Sequence, residues 1–199
     1  MGAGQYFEPQ PQVPSRRSSI TMALPDMTLT LATDRGVFAQ AAVDPGTRLL
    51  LLEAPAPPPH GVFLDLGCGY GSIACALARR SPGATVWAVD VNERALALCA
   101  DNAAAAGATG VRAVTPDDVP APARFDLIWS NPPIRVGKAA LHELLLRWLG
   151  RLAPDGRAVL VVQKHLGADS LAAWLGQHGY RTERLTSRQG YRLLSVGWA

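Results

Sequence analysis

The stretch Phe125-Asp126-Leu127-Ile128-Trp129-Ser130-Asn131-Pro132-Pro133-Ile134 runs from large apolar side chains into a polar pair followed by two prolines. The apolar part reads as a buried strand. Pro132 disfavours helical geometry at Asn131, and each proline lacks an N–H while keeping its carbonyl. The product is a stiff corner at a strand's carboxyl end, offering one amide side chain and unencumbered carbonyl oxygens. In open α/β sheets, ligands bind at such ends.

A second chemical signal lies upstream, in Asp65-Leu66-Gly67-Cys68-Gly69-Tyr70-Gly71, which follows an apolar strand and opens a helix. Glycines there permit tight turning and close approach of a ligand to the backbone. The dinucleotide fingerprint is GxGxxG, with pyrophosphate held at the helix N-terminus. Here the spacing is GxGxG, and an acid precedes it. An acid beside the loop repels a diphosphate but suits a ligand carrying an ammonium group, as S-adenosylmethionine (SAM) does. Asp90 ends the next strand, where a carboxylate can accept from both ribose hydroxyls. Acids at that place also occur in NAD sites, so the acid-plus-GxGxG loop is the discriminating feature.

The elements that must position these residues alternate regularly. Val62–Leu66, Thr85–Val89, Val111–Val114, Phe125–Trp129 and Ala158–Val162 read as strands. Helices are expected over Ser72–Arg80, from an Asn92 cap to Gly107, along the Leu141, Leu145, Trp148, Leu152 stripe, and over Leu171–His178. Strands at Tyr180–Thr186 and Tyr191–Gly197 form a terminal pair. The pattern predicts an α/β fold: a doubly wound, Rossmann-like sheet, mostly parallel with a terminal antiparallel strand pair. A short N-terminal hairpin and helix precede it. The hairpin is expected to join Thr28–Thr33 to Val37–Ala39 around Asp34-Arg35-Gly36. The helix is expected to start with Thr47 as N-cap and to carry leucines through Glu53. Residues 1–19, rich in Gln, Pro, Ser and Arg, read as a flexible tail. Residues 20–199 form a single domain, with 20–60 as an N-terminal extension and 61–199 as the core.

Composition narrows the function classes. The chain of 199 residues carries a net charge of +3, which permits a nucleic-acid partner without demanding one. Its three cysteines are scattered, with no CxxC pair, and predict a reducing compartment and no structural zinc. The first twenty residues lack the apolar segment of a signal peptide. No apolar run approaches the ~18 residues of a membrane helix. A soluble, cytoplasmic, monomeric protein with no metal and no membrane partner is the expectation.

These motifs, with TDRGVF, DPGT and VDVNERAL, resemble class I SAM-dependent methyltransferases of the small-domain type. More narrowly, the chain is similar to the 16S ribosomal RNA guanine-N2 methyltransferases over roughly residues 24–199. The resemblance implies SAM as cofactor, with Asp65 helping to hold its ammonium, often through water or the loop backbone, Gly67 and Gly69 lying against it, and Asp90 taking the ribose. It also implies that Asp117 or Asp118 meets the adenine amino group. Asn131 and Pro132 become the catalytic corner. An aromatic amine is a poor nucleophile because its lone pair is delocalised, and two acceptors, the Asn131 side-chain oxygen and the Pro132 carbonyl, can hold its N–H bonds. No strong general base is then required, and no His-Asp or Cys-His pair offers one.

Pro133, Ile134, Arg135, Lys138 and Phe38 complete the expected substrate contacts. Many amino-methylating enzymes carry Tyr or Phe where Ile134 stands, so stacking on the base falls to Phe38 or Trp129, or to apolar packing. Some relatives also carry a preceding domain absent from this sequence. The implied partner is ribosomal RNA or a small-subunit particle. Two other readings compete: an N-methyltransferase acting on a protein glutamine amide or adenine N6, and a non-catalytic SAM- or RNA-binding assembly factor. Ile134 argues against the first, and the intact Asn131 and glycine loop argue against the second.

Overall fold

A computed structural model describes residues 9–199, with the side chains of Arg135 and Leu166 outside the description. Seven strands form one sheet: β3 (His60–Leu66), β4 (Gly83–Val89), β5 (Val111–Val114), β6 (Phe125–Ser130), β7 (Leu152–Gln163), β8 (Tyr180–Arg188) and β9 (Tyr191–Trp198). Their order is β5-β4-β3-β6-β7-β9-β8. The first five are parallel, and β9 runs antiparallel to both β7 and β8. Successive strands move outwards from β3 in one direction and then, beginning at β6, in the other. That reversal opens a crevice at the carboxyl ends of β3 and β6.

Helices cover both faces, because the inner strands are apolar on both sides. Helices α1 (Pro45–Glu53), α2 (Ser72–Arg80) and α3 (Glu93–Ala105) put Leu50, Leu77 and Leu98 against Phe63, Trp129 and Val161. On the other face, α4 (Lys138–Leu149) and α5 (Ala168–Gln177) put Leu145, Trp148 and Leu175 against Leu64, Ile128 and Leu160. Alternation along β3 therefore sends Phe63 one way and Leu64 the other. Strand β7 starts earlier than the expected 158–162, at Leu152, with a pairing shift opposite Phe125 and Leu127 around Pro154-Asp155-Gly156.

The N-terminal extension departs from expectation in two places. Its hairpin joins β1 (Ser18–Ala23) to β2 (Thr28–Thr33), so the partner strand lies upstream of Thr28. Val37–Ala39 cannot serve, because Ala39 has φ 57°, a left-handed conformation that breaks an extended strand. The N-cap of α1 is Asp44, whose carboxylate accepts from the Thr47 N–H at 3.0 Å. Pro45, preset for the first helical position, fixes the cap one residue before it.

The segment read as a flexible tail is tied down where it is described. The Glu93 N–H donates to the Pro9 carbonyl, Arg94 donates to the Val13 carbonyl, and the Ser15 hydroxyl donates to Asp34. Residues 1–8 of that segment lie outside the described residues.

Asn102 fastens the hairpin to the core. Its amide nitrogen donates to the carbonyls of Ala32 (2.9 Å) and Tyr70 (2.8 Å), and its oxygen accepts from the Ala32 N–H at 2.7 Å. One buried side chain thus joins β2, α3 and the glycine loop. Asn102→Ala strands three of these groups and is expected to cost about 2–3 kcal/mol in urea unfolding; an unchanged midpoint would show that the hairpin is held by other contacts.

Candidate active site

The crevice is a cleft of about 250 Å³ with the two sequence motifs at opposite ends. A second concavity of about 360 Å³ lies at the amino ends of β3 and β6, lined by His60, Asp126 and Arg157, and holds none of the expected site residues. Size does not locate the chemistry here; the motifs do.

At one end, the Val89 carbonyl accepts from the N–H groups of Gly67 (2.8 Å) and Cys68 (3.0 Å), bending the loop over the end of β4. Gly67 and Gly69 have φ 77° and 52°, and a Cβ at either would meet nothing within 4 Å, because both face open cleft. Gly71 does a different job: a Cβ there would come within 2.6 Å of the Cys99 sulfur, so this glycine lets the loop pack on α3.

Asp90 sits across from the loop. Its Oδ2 accepts from the Gly69 N–H at 2.9 Å, and its Oδ1 from the Asn92 N–H at 3.0 Å. Burial pushes its carboxyl above the ordinary range, while the N–H groups of Asn92, Gly69 and Val91 pull the other way. Both oxygens keep lone pairs for further donors.

Asp65 is wholly buried behind the loop and does not line the cleft. One of its oxygens accepts from the Ala74 N–H at 2.8 Å, and the other has no hydrogen-bond partner among the described residues. Burial pushes this carboxyl up to about 8; the Ala74 N–H opposes that shift and the Asp90 charge adds to it. A direct contact with an ammonium in the cleft is therefore not built. Any influence passes through the loop.

At the other end stands Asn131, on the corner after β6. Its amide nitrogen donates to Asp44 Oδ2 at 2.7 Å and to the Thr47 hydroxyl at 2.9 Å. A carboxylate only accepts, so Asp44 dictates which way the amide faces. The Asn131 oxygen is left over as an acceptor, on a residue that lines the cleft. The Pro132 carbonyl accepts from the Ile134 N–H at 2.8 Å, across a tight turn at Pro133 (φ −74°, ψ 72°), and keeps one lone pair. Ser130 is buried and donates to the Leu66 carbonyl at 2.7 Å, tying the corner to β3. Pro133 and Ile134 line the cleft with Phe38, which is 45% exposed.

Other expected residues fall elsewhere. Asp117, with its side chain 92% exposed, pairs with Arg147 at 3.1 Å. Asp118 accepts from the Thr115 hydroxyl. Neither carboxylate lines the cleft; Pro116 does, so an adenine contact through either acid is not built. Trp129 is fully buried core and cannot stack on a base. Lys138 begins α4 as an exposed residue outside the lining, and the Arg135 side chain lies outside the described residues.

Several lining residues are absent from the sequence-derived set, among them Asp44, Val91, Gln163 and Tyr191. Asp44 stands in the sequence reading only within the DPGT stretch. Val91 follows Asp90. Gln163 donates to the Tyr191 hydroxyl at 3.0 Å, and the Tyr191 ring packs over Gly46. Only the fold brings Tyr191 and Asn131 to one cleft.

A glycine cradle open to the cleft, an acid at the end of the second strand, and an acceptor corner at the end of the fourth define a SAM-dependent methyltransferase of the Rossmann-like type. The Gly67 and Gly69 backbone and Asp90 fit the cofactor, since the open space above both glycines is what a bound ligand would fill. The chain belongs to the methyltransferase small domain family, whose model matches residues 28–195. It is 33% identical over 194 residues to the uncharacterized protein YbxB of Bacillus subtilis, covering 96% of each chain. It is also 35% identical over 167 residues to the ribosomal RNA small subunit methyltransferase C of Shewanella sp. (strain MR-4), covering 80% of this chain and 48% of that one. The chain thus spans about half the length of those methyltransferases. Among solved structures it resembles the T. thermophilus 16S rRNA N2 G1207 methyltransferase in complex with AdoMet and guanosine, with TM-score 0.75 and 26% identity over 95% of this chain and 52% of that one.

Asp90→Ala removes the proposed ribose acceptors and frees the Gly69 N–H. SAM affinity measured by calorimetry is expected to fall about ten- to a hundredfold; unchanged affinity would place the ribose elsewhere.

Proposed function

We propose that this chain transfers a methyl group from SAM to the exocyclic N2 of a guanine in ribosomal RNA of the 16S type, acting on the RNA or on a small-subunit particle. The observation that carries the reading is the anchored Asn131 amide on the cleft lining: Asp44 and Thr47 engage its nitrogen, which leaves its oxygen free to serve as the amine acceptor. SAM supplies an electrophilic methyl group on a sulfonium. The chain's own residues prepare the nucleophile. Asn131 Oδ1 and the remaining lone pair of the Pro132 carbonyl accept the two N–H bonds of the amine. They direct its nitrogen lone pair out of conjugation and favour the cationic transition state by fixed dipoles. The methylated cation is acidic and gives up a proton without a strong base. Leu66, Val89, Ile134 and Leu144 keep the surroundings apolar, which strengthens those dipoles.

The substrate assignment is supported by the relatives whose names include ribosomal RNA small subunit methyltransferase and by the structural neighbour holding guanosine. Ile134 leaves the target ring to other surfaces, and Phe38 and Tyr191 offer aromatic faces in the same cleft. Lys138 and Lys164, exposed after the carboxyl ends of β6 and β7, suit phosphate contacts at the rim.

Labelled-methyl transfer to 16S rRNA, small subunits, DNA and release factors in parallel tests the assignment, with mapping of modified guanines in rRNA from a deletion strain. Label at a guanine N2 is expected; label at adenine N6 or a glutamine amide would overturn the substrate. Asn131→Ala is expected to keep SAM binding and lose about a hundredfold or more in kcat. Retained turnover would remove the corner from the mechanism.

A further inference from the structure

Asp44 carries more than its cap. Its Oδ2 is committed twice, to the Thr47 N–H at 3.0 Å and to the Asn131 amide at 2.7 Å, which fixes the plane of the carboxylate. Its Oδ1 accepts no hydrogen bond among the described residues, and Asp44 lines the cleft beside the amine-holding corner. Its charge reaches into this enclosed region: it adds to burial in holding the nearby Tyr70 hydroxyl above its ordinary range. A rigid acceptor that cannot donate therefore stands next to the position assigned to the amine.

The chemistry next to that amine differs between purines. The N2 amine of guanine adjoins N1–H, a donor. The N6 amine of adenine adjoins N1 as a bare lone pair, and so does the 2-amino group of 2-aminopurine. A carboxylate oxygen at that place bonds the first and repels the other two.

We infer that Asp44 is the residue that selects guanine, using one oxygen to orient Asn131 and the other to accept the guanine N1–H. The inference rests on the amine-methylating reading above. Setting a half-buried acceptor against another acceptor discriminates, because a base bound there shields both groups from the water they would otherwise bond.

The substitution Asp44→Asn tests this sharply. Asparagine caps a helix as well as aspartate does, so α1 keeps its start. The two donors, from Thr47 and Asn131, demand the single amide oxygen at the Oδ2 place, which puts an NH2 group where Oδ1 was. The selector changes from acceptor to donor.

The measurement is kcat/KM on RNA carrying either guanosine or 2-aminopurine riboside at the mapped target nucleotide, for wild type and Asp44→Asn. Wild type is expected to favour guanine by about a hundredfold or more, and the variant to narrow that ratio at least about tenfold, with SAM affinity and Tm retained. Loss of the 6-oxygen contact in 2-aminopurine is common to both proteins and cancels in the comparison. An unchanged ratio in a folded variant overturns the inference. So does wild-type transfer to both bases at equal efficiency, which needs no variant. Failure of the wild type to methylate any guanine defeats the functional reading itself and is distinguishable from both.

Discussion

The Asn131 amide, held through its nitrogen by Asp44 and Thr47, is the contact on which the rest of the site depends. A free asparagine side chain presents donor and acceptor ends with equal ease. Catalysis by acceptors needs one end only, and needs it fixed before the substrate arrives. The fold supplies this by bringing the cap of α1 against the corner after β6, a pairing 87 residues apart in sequence. Helix capping and the orientation of the Asn131 corner are therefore one interaction, and the cap of α1 lines the candidate site although it precedes the Rossmann-like core.

The sheet reversal between β3 and β6 gives this arrangement its place. Strand ends on either side of the reversal converge on one crevice, so the glycine loop after β3, Asp90 after β4 and Asn131 after β6 share a cleft without any long loop. Electrostatics divide it in two. At the cofactor end, Asp90 offers its oxygens at the rim, while Asp65 is enclosed and its carboxyl is pushed up by burial. At the other end, the Asn131 amide and the Pro132 carbonyl are neutral dipoles, and the Asp44 carboxylate lies beside them.

Much of this was legible in the sequence. The GxGxG loop, Asp90, the Asn-Pro-Pro corner and the strand–helix alternation are local signals, each carried by a few adjacent residues whose backbone needs are strict. The mostly parallel sheet and its antiparallel end followed from the same pattern, while the strand order emerged only from the structure. What escaped was non-local. β1 has only Ile20 and Met22 as a short alternation beside polar residues, so Val37–Ala39 looked the better partner for β2. Asp117 and Asp118 stand at the expected place along the chain, but Arg147 and Thr115 hold them outwards. Asp44 and Tyr191 had no motif to announce them, since their meaning comes from what the fold sets beside them.

Hydrogen exchange of the Asn131 side-chain NH2, followed by 15N NMR, tests the orientation of the corner most directly. With both protons engaged by Asp44 and Thr47, exchange should run at least roughly tenfold slower than for exposed asparagines, with two well-separated proton resonances. Exchange at the rate of an exposed side chain would contradict the account, because an amide free to turn cannot present its oxygen to the amine in advance.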